Sequence, residues 1–235
     1  MAGDFWDDGN ADEGPAEDLT LKLLRVAARE SDEPGSLALL LDTSRGPIEG
    51  MLRPVEGGTD AVICVGGALG GLDGPADGIY RDLGGLLDAA GVTVLRLAYR
   101  TPSNFEESVL DVLAGCSFLK GIGATSVVLV GHSFGGAVVI KAGQLHPMVR
   151  AVASLSPQLF GTRQVEELGK PLLLVHGMSD SVLDHEASED VYRRALEPKR
   201  LVLYAGAGHS LIQAKDELRA LLAEWIPAQF PGTSP

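Results

Sequence analysis

Short apolar segments of strand length alternate with helical stretches along most of this chain, and this alternation constrains its fold more than any other feature. Strands that are apolar on both faces are typical of a parallel sheet covered by helices on both sides. The pattern therefore predicts an α/β fold with a mostly parallel, twisted sheet of about eight strands, which binds ligands at the carboxyl ends of the strands. The expected strands cover residues 37–41, 48–52, 61–65, 92–97, 126–130, 151–155, 172–176 and 201–204. The expected helices cover residues 20–30, 80–90, 104–120, 134–146, 186–196 and 211–225.

The length of 235 residues predicts a single domain, which we place at residues 19–226. Residues 1–18 carry seven acidic side chains and no Lys or Arg, so we expect a flexible acidic tail there. The alternative is a partner-binding segment in which Phe5 and Trp6 act as anchors. Residues 227–235 are expected to form a C-terminal tail.

The net charge of −13 disfavours several classes of partner. A chain of this charge repels a phosphate backbone and an anionic membrane surface, so we expect neither nucleic acid nor a membrane as a partner. No segment approaches the roughly 20 apolar residues of a membrane span, and no secretory signal is visible. Two cysteines cannot form a disulfide framework, and a cytoplasmic location is therefore expected.

The segment from Gly131 to Gly136 reads Gly-His-Ser-Phe-Gly-Gly and contains the pattern G-x-S-x-G. It lies directly between an expected strand and an expected helix. A serine on such a sharp turn exposes its hydroxyl, and the glycines two positions to either side relieve crowding. Ser133 is therefore a candidate nucleophile. The alternative is a glycine-rich turn that merely lets a helix pack close to a strand.

A serine nucleophile needs a base, and the base needs a carboxylate that fixes its tautomer. His209 lies in a loop of small residues after the last expected strand, and Asp180 follows the strand at 172–176. Asp184 competes with Asp180, but it suits the start of the next helix better. The order Ser133, Asp180, His209, each after a strand, predicts a catalytic triad.

The remaining histidines and the cysteines receive no catalytic role. His132 is expected to point in a different direction from Ser133 in the tight turn, His146 to lie at a helix end and His185 to lie on the surface. His176 is four residues from Asp180, but a strand-to-loop segment does not place the two on one helical face, so no metal site is expected. Cys64 and Cys116 are expected to be inert core thiols.

An acyl-transfer site also needs two N–H donors for the oxyanion. One should be Phe134, the residue after the candidate nucleophile. The other should come from the glycine-rich loop at 66–71, where Ala68 is our choice and Leu69 the alternative. The same loop is a candidate phosphate cradle, but G-x-G-x-x-G is absent at the needed spacing and no G-K-[ST] follows.

The sequence resembles the α/β-hydrolase superfamily from about Leu37 to Trp225, and within it the small dienelactone-hydrolase-like or esterase-like members. The motifs at 131–136, 176–180 and 206–209 carry this resemblance. It implies the α/β-hydrolase fold, a triad of Ser133, Asp180 and His209, and an oxyanion hole of Phe134 and Ala68.

Two departures from the family pattern are visible. The first loop has Gly66-Gly67 where many relatives have His-Gly. Ser133 stands where dienelactone hydrolases usually carry cysteine, so the substrate of those enzymes is not assigned to this chain. Only 46 residues separate Ser133 from Asp180, which excludes a large cap domain between them. The expected pocket is shallow and open, and its expected lining is Leu69, Phe134, Leu159, Met178 and Val182.

These features predict a serine hydrolase that cleaves a small-molecule carboxylic ester or thioester without a cofactor. Two alternatives stay open: a catalytically silent scaffold with the same fold, and an acyltransferase that uses the same triad.

Overall fold

A computed structural model describes residues 20–231 and places nine strands in one twisted sheet. The strands are β1 (Leu23–Glu30), β2 (Leu37–Thr43), β3 (Gly46–Arg53), β4 (Asp60–Val65), β5 (Val92–Leu97), β6 (Ser126–His132), β7 (Val149–Leu155), β8 (Leu172–Gly177) and β9 (Lys199–Tyr204). Their order across the sheet is β1-β2-β3-β5-β4-β6-β7-β8-β9. The pairs from β5 through β9 are parallel, and β1, β2 and β3 extend the sheet as antiparallel strands. The prediction of a mostly parallel sheet is confirmed, with one strand more than expected.

Within residues 20–231, five helices cover the two faces of this sheet. They are α1 (Pro75–Leu87), α2 (Phe105–Gly121), α3 (Phe134–Leu145), α4 (Glu186–Arg194) and α5 (Lys215–Trp225). One core cluster joins the sheet to α2, α3 and α4, and the other joins it to α1 and α5. The central strands β4, β6 and β8 are buried on both faces, which explains why their sequences are apolar without alternation. None of the helices within residues 20–231 is long and apolar enough to cross a membrane.

The expected helix over residues 20–30 is wrong, because most of this segment forms the edge strand β1. Its pairs with β2 include Val26 with Leu41 and Ala28 with Leu39. Leu24, Val26 and Ala28 recur at every second position, so the segment suits a strand as well as a helix. An isolated helix of this length is only marginally stable in water, so the pairing with β2 decides the outcome.

The segments expected to be tails lie at the two ends of the chain, and the structure describes part of the C-terminal one. The expected acidic tail at residues 1–18 lies outside the described residues. At the other end, Pro227–Gln229 form a 3₁₀ turn, and Phe230 is buried in the core cluster beside α1 and α5. Phe230, four residues beyond the expected boundary at residue 226, therefore packs against the domain.

Candidate active site

Ser133 occupies the sharp turn between β6 and α3. Its φ of 58° and ψ of −118° lie in a region that L-residues seldom adopt. A Cβ at Gly131 would overlap the carbonyl of Gly135, and a Cβ at Gly135 would overlap the carbonyl of Gly66. The two glycines of the G-x-S-x-G pattern therefore let strand, turn and neighbouring loop approach each other closely.

The structure brings Ser133, His209 and Asp180 together in one chain of hydrogen bonds. Ser133 Oγ lies 3.0 Å from His209 Nε2, and His209 Nδ1 lies 2.7 Å from Asp180 Oδ2. A carboxylate accepts hydrogen bonds only, so Nδ1 carries the hydrogen and Nε2 is free to accept the serine proton. The imidazole is 20% exposed, whereas the carboxylate is fully buried. This arrangement can deprotonate Ser133 when its hydroxyl attacks a carbonyl.

The Asp180 carboxylate is held in its ionised form by the loop after β8. Its Oδ1 accepts the backbone N–H groups of Val182 at 2.8 Å and Leu183 at 2.9 Å. Burial by itself raises the pKa of Asp180. The hydrogen bonds from the N–H of Leu183, the side chain of His209 and the N–H of Val182 lower the pKa, and together they outweigh the effect of burial. The pKa of Asp180 is therefore below its usual value. The competitor Asp184 instead accepts the Glu186 N–H at 3.0 Å, at the start of α4.

A second histidine, His176, contacts the same carboxylate from inside the domain. His176 Nε2 lies 3.1 Å from Asp180 Oδ2 and 3.0 Å from the carbonyl oxygen of Leu183. Its Nδ1 lies 2.7 Å from Ser188 Oγ, and the side chain has no exposed surface. Sequence reasoning missed this contact, because the four-residue spacing of His176 and Asp180 was considered only as a metal pair.

His132 lies beside the candidate base, His209. Its Nε2 is 2.9 Å from the backbone carbonyl oxygen of His209, and the two ring centroids are 4.8 Å apart. Burial lowers the pKa of His132 to about 4, so the ring is neutral at pH 7 and its Nε2–H donates to that carbonyl. His132 therefore fixes the backbone at the position from which the imidazole of His209 projects. The other two histidines lie elsewhere, with His146 at the end of α3 and His185 paired with Asp184 and Glu189.

The glycine-rich loop after β4 runs beside Ser133. A Cβ built on Gly67 would lie 3.6 Å from the Cβ of Ser133. The carbonyl of Gly67 accepts the N–H of Gly70 at 2.9 Å, and in a trans peptide the N–H of Ala68 points the opposite way. The Ser103 hydroxyl holds the carbonyl of Ala68 at 2.9 Å. These bonds fix the peptide planes on either side of Ala68.

Two buried tyrosines anchor the start of the same loop. The hydroxyl of Tyr80 donates to the carbonyl of Val65 at 3.0 Å, and the hydroxyl of Tyr99 donates to the carbonyl of Gly66 at 3.1 Å. Burial raises the pKa of both phenols, so they remain donors. The loop therefore enters the site in a fixed direction.

Four of the predicted apolar lining residues stand exposed on loops at the carboxyl edge of the sheet. They are Leu69, Leu159, Met178 and Val182. Leu69 is 94% exposed, the largest value among the exposed large apolar side chains of the described residues. The fifth, Phe134, is the first residue of α3 and is buried in the core cluster that joins the sheet to α2, α3 and α4. The segment that carries Leu159 lies next to Ser133, since the N–H of Gln158 is 3.4 Å from the carbonyl oxygen of Ser133.

Sequence reasoning missed an aromatic row beside this segment. The rings of Phe134 and Phe105 meet edge to face at 6.2 Å, and those of Phe105 and Phe160 at 5.5 Å. Phe160 and Leu159 also line a cavity of about 480 Å³ together with Arg163, Asp190 and Arg194. The signal available in the sequence was the apolar pair Leu159-Phe160 in the segment after an expected strand.

No part of residues 20–231 gathers three or more His, Cys, Asp or Glu side chains in an arrangement suited to a metal ion. Cys64 and Cys116 are free and buried, and burial raises the pKa of each thiol to about 12. Both thiols are therefore protonated and poorly nucleophilic at neutral pH.

Comparisons with known proteins agree with this architecture. Residues 160–216, which include Asp180 and His209, match the family model described as serine aminopeptidase, S33. The structure is similar to Est1E from Butyrivibrio proteoclasticus, with a TM-score of 0.71 and 20% identity over 82% of this chain and 98% of that one. No curated protein matches the sequence.

Two further solved structures have the same fold. XC6422 from Xanthomonas campestris, a serine hydrolase without a lid, aligns with a TM-score of 0.66 and 20% identity over 88% of this chain and 100% of that one. Dienelactone hydrolase from Anabaena variabilis aligns with a TM-score of 0.61 and 23% identity over 82% and 97% of the two chains. Similarities at these levels of identity show the fold. The protein therefore has the α/β-hydrolase fold, and its residues 20–231 contain no large cap domain.

Proposed function

We propose that the protein is a serine hydrolase that cleaves a carboxylic ester or thioester of a small molecule. The observation that carries this proposal is the unbroken chain of hydrogen bonds from Ser133 Oγ through His209 to Asp180. A scaffold needs no such chain, and its geometry suits proton removal from a hydroxyl.

In the first half of the reaction, Ser133 Oγ attacks the substrate carbonyl carbon while His209 Nε2 takes the hydroxyl proton. The carbonyl oxygen becomes an oxyanion, and we expect the N–H groups of Phe134 and Ala68 to stabilise it. The start of α3 adds a partial positive charge at the same point. His209 then gives the proton to the leaving alcohol or thiol, and the acyl group remains on Ser133.

In the second half, water attacks the acyl-enzyme and loses a proton to His209. Collapse of the second tetrahedral intermediate releases the carboxylic acid, and the proton returns to Ser133. No cofactor takes part. Asp180 stays ionised throughout and stabilises the imidazolium form of His209.

The exposed apolar side chains at the sheet edge supply the binding surface for the acyl group. Leu69, Leu159, Met178 and Val182 come from three different loops and are all solvent-accessible. Each methylene group that a substrate buries against such a surface contributes about 0.8 kcal/mol. Hydrolysis of p-nitrophenyl esters should therefore become more efficient as the acyl chain lengthens from acetate to hexanoate, chiefly through a lower KM.

Labelling with a fluorophosphonate probe tests the nucleophile directly. The wild-type protein should acquire one covalent label at Ser133, and Ser133→Ala should acquire none and lose nearly all esterase turnover. Ser117→Ala is the matched control, since Ser117 is an exposed serine on α2 whose hydroxyl bonds only to the carbonyl of Leu113. Wild-type protein that stays unlabelled would reject the enzymatic proposal and favour a scaffold.

A further inference from the structure

The buried side of the Asp180 carboxylate is occupied by His176, a residue to which the triad mechanism gives no role. Oδ2 receives His209 Nδ1 at 2.7 Å on one side and His176 Nε2 at 3.1 Å on the other. Neither His176 nor Asp180 exposes any side-chain surface. A buried polar pair of this kind has to satisfy its hydrogen bonds within the protein.

The contacts of His176 determine which of its nitrogens carries the hydrogen. Nε2 faces two oxygens that can only accept, Asp180 Oδ2 and the carbonyl oxygen of Leu183, so Nε2 is protonated. Burial lowers the pKa of His176 and keeps the ring neutral, which leaves Nδ1 with a free lone pair. The hydroxyl of Ser188, 2.7 Å away and fully buried, therefore donates to Nδ1.

We propose that Ser188 and His176 form a positioning relay behind the triad, in which Ser188 fixes the tautomer of His176 and His176 orients the Asp180 carboxylate toward His209. This inference rests on the proposed function of Ser133, His209 and Asp180. The relay consists of two hydrogen bonds, from Ser188 Oγ to His176 Nδ1 and from His176 Nε2 to Asp180 Oδ2. His176 does not touch the substrate, so it is a positioning residue.

The arrangement of donors around the carboxylate shows why this position matters. The N–H groups of Val182 and Leu183 both bind Oδ1, whereas Oδ2 has His176 as its partner besides His209. Without the His176 donor, Oδ2 is held only by the imidazole that it has to orient. The relay therefore makes the carboxylate position independent of His209, which moves between neutral and charged forms during turnover.

The protonation of His176 is measurable in the wild-type protein without any assay of activity. Nitrogen-15 NMR of the histidine rings should show His176 with Nε2 protonated and Nδ1 unprotonated throughout pH 6 to 8. A mixture of tautomers, or a hydrogen on Nδ1, overturns the relay. This measurement also decides the matter if the variants below fail to fold.

Kinetics of two His176 variants test the effect on catalysis. His176→Leu removes the donor and should lower kcat about tenfold with KM unchanged, because substrate binding does not involve this side chain. His176→Gln places an amide N–H near the position of Nε2 and should recover most of the loss. His185→Leu is the matched control, because that ring lies at the start of α4 beside Asp184 and Glu189.

The outcomes separate the relay from the proposed function. Wild-type protein that reacts with the fluorophosphonate probe while His176→Leu keeps full kcat, or equal losses in His176→Leu and His176→Gln, rejects the relay alone. Wild-type protein that does not react rejects the proposed function, and the catalytic part of the relay with it. The tautomer measurement stands in either case.

Discussion

Replacement of Asp180 by asparagine changes one atom of the site and should switch off the proposed base. The side-chain amide that Asp180→Asn introduces has one acceptor and one donor end, and the surroundings decide which way it faces. The N–H groups of Val182 and Leu183 require an oxygen at the Oδ1 position, 2.8 and 2.9 Å away. The NH₂ group therefore takes the position of Oδ2, where it faces His176 Nε2 and His209 Nδ1.

In that orientation the NH₂ group points at Nδ1 of His209, which lies 2.7 Å from Oδ2 in the native protein. Two N–H groups cannot face each other at this distance, so His209 takes the tautomer with its hydrogen on Nε2. Nε2 then donates to Ser133 Oγ and cannot accept its proton. The equivalent change in another serine hydrolase triad lowers kcat by about 10⁴, which corresponds to about 5.4 kcal/mol of transition-state stabilisation.

The assay is kcat for p-nitrophenyl butyrate at pH 7.5, with thermal unfolding to show that Asp180→Asn is folded. Asp184→Asn is the matched control, because that carboxylate is 71% exposed and bonds to the N–H of Glu186. It should retain kcat within about twofold. If Asp180→Asn retained more than a tenth of wild-type kcat, or if Asp184→Asn lost as much, the assignment of Asp180 would be refuted.

Three further predictions follow from the surroundings of the triad. Gly135→Ala should lower the free energy of unfolding by about 3 kcal/mol, because the added Cβ overlaps the carbonyl of Gly66. The added Cβ in Gly85→Ala meets no atom within 4 Å, so this control should stabilise α1 by about 0.5–1 kcal/mol. Urea unfolding measures both effects, and equal effects would contradict the prediction. Acidification from pH 7 to pH 4.5 should lower the free energy of unfolding, because His132 binds a proton near pH 6.5 in the unfolded chain but has a pKa of about 4 in the folded protein. In urea titrations, His132→Asn should make the free energy of unfolding depend less on pH. An unchanged pH dependence in that variant would contradict the prediction. Tyr99→Phe removes the hydroxyl that holds the carbonyl of Gly66, and in steady-state kinetics it should lower kcat several-fold with KM unchanged. A rise in KM alone would mean that the loop positions the substrate and not the oxyanion donor.

The central strands could be predicted from sequence because burial on both faces leaves no ambiguity. Strands β4, β6 and β8 are runs of apolar residues followed at once by Gly or His, and their expected bounds differ from the structure by one or two residues. The edge strand β1 could not be predicted. Its apolar residues suit two periods, and only the pairing with β2 decides between them.

The candidate triad could be predicted as an order of residue types along the chain, but its supporting contacts could not. His176 meets Asp180 because the loop after β8 turns back, so that the N–H groups of Val182 and Leu183 reach the same carboxylate. His132 meets His209 across 77 positions of sequence. Neither contact has a signature in local spacing, because each depends on how two loops pack at the sheet edge.

The loops that carry the candidate triad are joined to one another by a ladder of backbone hydrogen bonds that continues beyond the strands. The N–H of Ser133 donates to Leu155 of β7, the N–H of Ser156 to Val175 of β8, and the N–H of Met178 to Tyr204 of β9. Each bond ties the loop after one strand to the end of the next strand across the sheet. Ser133 and His209 are 76 positions apart in sequence, yet these three backbone hydrogen bonds connect their loops through the ends of the strands. The relative position of Ser133, Asp180 and His209 is therefore a property of the parallel sheet itself, and the side-chain contacts of His132 and His176 refine the orientation of groups that the sheet has already placed.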